Sequence, residues 1–148
     1  MKKFILCGLI AFSALAVTIT SCNKYEDGPK ISLLTKKMRV TGDWSLEQYL
    51  ANGTTSSNGT DITSSMQSFL GSTWEWQIEK DGSYKSTGNV NENGTWALGE
   101  DKDDITFTPP STSSSSPSTY RILKLKSKEL WLRYTNTNGT YDVIHLKQ

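Results

Sequence analysis

From about Met38 onward the chain is written in short runs that alternate apolar and polar residues, each stopped by a turn signal. A period of two buries one face of a strand and wets the other, so this pattern predicts an all-β sandwich or barrel. The first strand is expected at about Met38–Leu50, where Val40, Gly42, Trp44, Leu46 and Leu50 share a face. The second carries Trp74, Trp76 and Ile78 and ends at the hairpin dipeptide Asp81-Gly82. The third carries Tyr84 and Val90, with Gly88 as a bulge, and Glu92-Asn93-Gly94 turns the chain into the fourth. There Trp96 and Leu98 point inward. Ile105 and Phe107 follow in a fifth strand that Pro109 and Pro110 stop. The sixth, Thr119–Lys126, changes parity and so carries a bulge. The seventh buries Leu130, Leu132 and Tyr134 and turns Trp131 and Arg133 outward. In the eighth, Thr140–Lys147, either Val143 and His145 or Ile144 and Leu146 take the interior.

Two connections are long. Residues 52–68 are rich in Gly, Ser, Thr and Asn, and Ile62, Met66, Phe69 and Leu70 have the spacing of a short helix. Residues 109–118 are low-complexity, with an unbroken serine run at 113–116.

The start of the chain has a different logic. Lys2 and Lys3 precede an apolar run from Phe4 to Ile19, and Thr20-Ser21-Cys22 follows. That is a charged region, a hydrophobic region and a small-residue cleavage point. The run is shorter than the roughly 20 residues of a membrane-spanning helix. A cysteine directly after the small residue resembles the lipobox of bacterial lipoproteins. The resemblance implies that residues 1–21 are removed and that Cys22 is lipidated and becomes the first mature residue. Residues 22–36 then read as a tether. Glu26 and Asp27 resemble the surface-export signals of Bacteroidetes lipoproteins; a soluble linker is the other reading.

Without residues 1–21 the 148-residue chain has 127, enough for one domain at 37–148 and too few for two. The formal charge is +1 for the whole chain, and about −1 once Lys2 and Lys3 leave with the signal. A near-neutral domain is not expected to bind nucleic acid. Nor does it offer a polybasic patch for a membrane, so the acyl chains on Cys22 must hold it there. Cys7 leaves with the signal and Cys22 takes the lipid, so no disulfide, cysteine metal site or cofactor is expected.

Thr41-Gly42-Asp43-Trp44 fits the Gly-x-Trp signature of lipocalins, in which the tryptophan closes one barrel end. Asp81-Gly82-Ser83-Tyr84, Gly94-Thr95-Trp96, Tyr120-Arg121-Ile122 and Leu130-Trp131-Leu132 follow in order. The set resembles the lipocalin-like (calycin-type) domains of Bacteroidetes lipoproteins over about residues 35–148. That resemblance implies an eight-stranded antiparallel up-and-down barrel, with Gly42 and Trp44 as its closing motif. Such a barrel is either filled by side chains or holds one small ligand. The chain departs from classical lipocalins in its length, in lacking a C-terminal helix after the last strand and in lacking stapling cysteines.

Trp74, Trp76, Tyr84, Trp96, Phe107, Tyr120 and Tyr134 are expected to line the interior. They form either an aromatic pocket for an apolar or amphipathic ligand or a packed core. Trp131, on the opposite parity, either meets a partner or sugar or covers the barrel under a loop. His145 is the only histidine and has no spaced partner for metal binding or catalysis, so a structural role is expected. Asp101, Asp103 and Asp104 read as a solvated turn rather than a calcium loop. Asn52, Asn58, Asn93 and Asn138 each precede Gly-Thr and read as turn chemistry. No Gly-x-Ser-x-Gly elbow is present, so no hydrolase or other enzyme is expected. Two functions remain. One is a lipid-anchored outer-membrane lipoprotein that binds a small apolar or amphipathic ligand behind loops 51–70 and 109–118. The other is a non-enzymatic interaction module that holds a surface polysaccharide or an envelope protein by its outer face and loops.

Overall fold

A computed structural model describes residues 34–55 and 58–148. The expected signal segment, Cys22 and the expected tether up to residue 33 lie outside the described residues. The alternating runs become an antiparallel meander. Strand β1 (Gly42–Gly53) is followed by the two-residue β2 (Thr60–Asp61), β3 (Glu75–Ile78), β4 (Ser83–Thr87), β5 (Glu92–Leu98), β6 (Asp104–Thr108), β7 (Ser118–Leu125), β8 (Glu129–Thr135) and β9 (Tyr141–Lys147). From β3 to β9 each strand pairs with the next, β1 pairs with β3, and β9 returns to pair with β1. Eight strands therefore close a barrel with no open edge, and β2 is a strap on the far end of β1, pairing Leu50 with Asp61.

The meander sorts the connections between two ends. One end carries the turns at 79–82, 99–103 and 126–128. The other, the mouth, carries residues 54–74 and the loops at 88–91, 109–117 and 136–140. A helix packs near each end. The expected helix in the first long loop is α2 (Thr63–Leu70), whose Met66 and Leu70 pack against the core while Phe69 is 63% exposed.

The second helix, α1 (Lys36–Val40), overturns the expectation that the first strand starts at Met38. Thr35 Oγ1 accepts a hydrogen bond from the Met38 amide and so caps a turn made of good helix formers. Val40 is wholly buried from this helix rather than from a strand, and its carbonyl accepts the Trp44 indole N–H at 2.7 Å. Trp44 is itself wholly buried, and Arg39 donates to the Leu125 carbonyl at 2.6 Å. Gly42 and Trp44 thus stand where the chain leaves α1 and enters the barrel.

Strand parity departs from expectation in three more places. A bulge between Leu46 and Gln48 flips the second half of β1, so Tyr49 faces the core and Leu50 pairs with Val143 on the outside. Gly88 is not a strand bulge; it follows β4, with φ +142°, where any Cβ would strike the Leu70 carbonyl at the end of α2. Asn93-Gly94 is not a turn but part of β5, and Gly94 is needed because the Thr108 carbonyl and the Tyr84 ring crowd its Cα. The bulge expected in β7 is present between Ile122 and Lys124. In β9, Leu146 joins the core with Ile144 packed against it, and alternation puts Val143 and His145 on the opposite face, where Val143 is nonetheless fully buried.

Candidate functional site

Six of the seven expected interior aromatics meet in one ladder. Trp76 from β3 and Phe107 from β6 stack in the middle of the barrel, with ring centroids 4.2 Å apart and planes at 23°. Tyr84 sets its ring edge-on to both, at 6.2 and 5.1 Å. From this centre the ladder climbs to the mouth through Trp74, 5.8 Å from Trp76, and through Tyr120, 6.0 Å from Phe107. It ends at Tyr134, 5.6 Å from Tyr120 and 38% exposed. Trp76, Tyr84 and Phe107 are buried. Offset and edge-on ring contacts at these distances fill the space between them.

Trp96 belongs elsewhere. It is buried, its indole N–H donates to the Glu79 carbonyl at 2.8 Å, and it lines a cavity of about 420 Å³ at the α1 end. Lys36, Lys37, Asp81 and Lys102 stand around the same cavity, with Lys37 Nζ 5.9 Å from the Trp96 ring. Reading α1 as tether and strand hid this cleft from the sequence.

The mouth also carries a polar group that parity concealed. Tyr49 donates its hydroxyl to Asp142 at 3.1 Å, and Asp142 also accepts from the Asn136 side chain and the Asn52 amide. Burial, followed by the neighbouring Asp142 charge, pushes the Tyr49 phenol well above its ordinary value. Burial likewise pushes Tyr120 up to about 12. Both phenols are therefore neutral at ordinary pH, Tyr49 as a donor to Asp142.

Outside the barrel, Trp131 is the centre of a stack across three strands. Its indole lies 3.9 Å from the His145 ring on β9, with planes at 15°, and Lys124 Nζ of β7 stands 3.8 Å from its ring. Because β8 lies between β7 and β9, the two neighbours occupy the two sides of the indole. Lys124 also pairs with Glu129 at 2.6 Å, which holds that carboxyl below its usual range. Arg133 lays its guanidinium over Tyr141 at 4.6 Å. The turn at 101–104 is more than a solvated hairpin: Asp103 pairs with Lys36 at 3.0 Å and ties α1 to the barrel. Asn52 lies within β1 with φ +54° rather than in a turn, while the turns at Asn58 and Asn138 hold. Asn58 caps the Thr54 and Thr55 amides, Asn138 caps Thr140, and Gly139 follows with φ +81°.

No protein-family model matches the sequence, and no curated protein matches it. A structural neighbour is a lipocalin-like protein. It comes from Bacteroides uniformis, is 14% identical, and aligns with 74% of this chain and 98% of its own at a TM-score of 0.48. The closed eight-stranded antiparallel barrel stands on its own strand pairing.

Proposed function

We propose that the protein is a non-enzymatic interaction module, held at the outer membrane by lipid on Cys22, whose barrel is a packed scaffold. One observation carries this reading. The middle of the barrel, where a ligand would sit, is occupied by the stack of Trp76 on Phe107 with Tyr84 edge-on to both. An eight-stranded barrel is about wide enough for its own side chains, and here aromatic side chains take that space. Contacts with an envelope polymer or protein then fall to the outer face and the mouth loops. The Cys22 anchor rests on the lipobox resemblance. A Cys22→Ala protein is expected to lose its acyl mass and its membrane fraction.

A second reading is favoured by the upper end of the ladder. Trp74, Tyr120 and Tyr134 bring aromatic surface to the mouth, where a small amphipathic ligand would lie across the rings rather than inside the barrel. Native mass spectrometry of the protein after exposure to lipid and metabolite extract separates the two. A bare protein mass, with a partner captured by wild type and lost by Trp131→Ala at unchanged stability, supports the module. A defined extra mass that survives desalting supports the ligand and overturns the module.

A further inference from the structure

We propose that the outer face of β7, β8 and β9 binds a linear acidic polysaccharide. This deepens the interaction-module reading and rests on it. The first ground is how charge is distributed. Residues 41–117 carry eleven Asp or Glu against three Lys or Arg. Residues 118–148 carry six Lys or Arg against Glu129 and Asp142. Asp142 is engaged at the mouth by Tyr49, Asn136 and Asn52, and Glu129 is held by Lys124 and Lys126. Apart from Lys36, Lys37 and Arg39 at α1, most cations of the described residues therefore gather on three adjacent strands and the turn below them.

The second ground is an arrangement that costs stability. Arg121 and Arg133 are directly opposite each other in the β7–β8 ladder. Like charges in that position repel. Arg121 is 51% exposed and reaches Asp103 and Asp104 only at 3.9 and 3.8 Å. Arg133 has no carboxylate partner among the described residues, and its Nε is buried without an acceptor. The two guanidinium groups lean apart, Arg121 toward Asp103 and Asp104 and Arg133 over Tyr141, so they are separate points of charge along the face, and a planar guanidinium suits a carboxylate fork. Further down come Lys126, in the turn just after β7 and 3.6 Å from Glu129, and Lys147 at the end of β9. Alternate residues of a strand are about 7 Å apart, so the cations form a line rather than a point.

The same face argues against other polyanions and against peptide. Single-stranded nucleic acid binds by stacking bases on free aromatic rings, and Trp131 is already flanked by Lys124 and His145. An added peptide strand needs an open edge, and β7, β8 and β9 are paired on both sides. What the face offers is a row of charge with guanidinium forks.

Binding of the full-length protein to polygalacturonate, neutral dextran and single-stranded DNA, measured at low and moderate salt, tests this. Polygalacturonate should bind, weaken as salt rises, and bind the double variant Arg121→Gln/Lys126→Gln about tenfold less tightly. Both side chains are exposed, so that variant should fold; Arg133→Gln adds the central site, with Arg133→Lys as its charge-conserving control. Failure of wild type to bind polygalacturonate at low salt overturns the inference, as does equal binding by the double variant. DNA binding as tight as polygalacturonate overturns the polysaccharide assignment. None of these touches the module reading, which falls only to a defined ligand mass in the barrel.

Discussion

At the residue scale, the barrel depends on a few side chains with no slack around them. Trp76 touches Trp74, Tyr84, Phe107 and Tyr120 through ring contacts. Trp76→Ala should destabilise the fold by about 3–5 kcal/mol, the usual cost of emptying a large aromatic site in a core. Urea denaturation checks this; a loss below about 1 kcal/mol would mean that the centre was never packed. Trp44→Phe probes a different term. It keeps most of the apolar volume but leaves the buried Val40 carbonyl without its donor, at a cost of about 1–3 kcal/mol. Gly88→Ala should also destabilise, because φ +142° and the Leu70 carbonyl leave a methyl group no room. Its effect should appear first as loosening of α2, read by amide hydrogen exchange.

At the element scale, what was legible followed from periodicity, and what was not followed from features that periodicity does not see. Trp74, Trp76 and Ile78 alternate cleanly; Trp76 and Ile78 lie in β3 as expected, and Trp74 just precedes it. The bulge in β7 was visible because Ile122 and Leu123 break parity within the strand. The bulge in β1 was not, because Leu46 and Leu50 keep an even spacing while the backbone between them gains a residue. Tyr49 and Asp142 were missed for that reason. Helix α1 was hidden because a five-residue helix carries too few turns to show a stripe; the Thr35 cap was its one local signal. The strap β2 is held by side chains rather than by an apolar face. Hydrogen bonds from Thr63, then from Gln48, hold the Asp61 carboxyl down at about 2. A depressed folded value means that the strap's stabilisation is present above the ordinary carboxyl range near 4 and is lost as pH falls through about 2. Titration followed by NMR should show the Asp61 shift and the opening of the Tyr49 and Ile62 amide bonds together in that window. Opening near pH 4 would mean that Asp61 does not hold the strap.

For the whole molecule, closure and filling together predict how the barrel comes apart. With all eight barrel strands paired on both sides and only the strap β2 paired on one, no barrel strand is free to fray. The α1 end is tied by Trp44, Arg39 and the Lys36–Asp103 pair. The mouth is tied through Tyr49 and Asp142, beside the half-buried ring of Tyr120. Both phenols are pushed up by burial, Tyr120 to about 12 and Tyr49 in the same direction. In the unfolded chain they ionise near pH 10. Between about pH 10 and 12 the unfolded state therefore binds fewer protons than the folded one, and stability must fall as pH rises through that range. The loss should begin at the mouth and spare the α1 end. Urea midpoints measured at intervals above pH 9 should decline, and hydrogen exchange should rise first around Tyr49, Asn136 and Asp142. Tyr49→Phe should flatten the decline, because it removes one of the two ionising groups while keeping the ring in place. A midpoint unchanged up to pH 12 would show that neither phenol is held neutral by the fold.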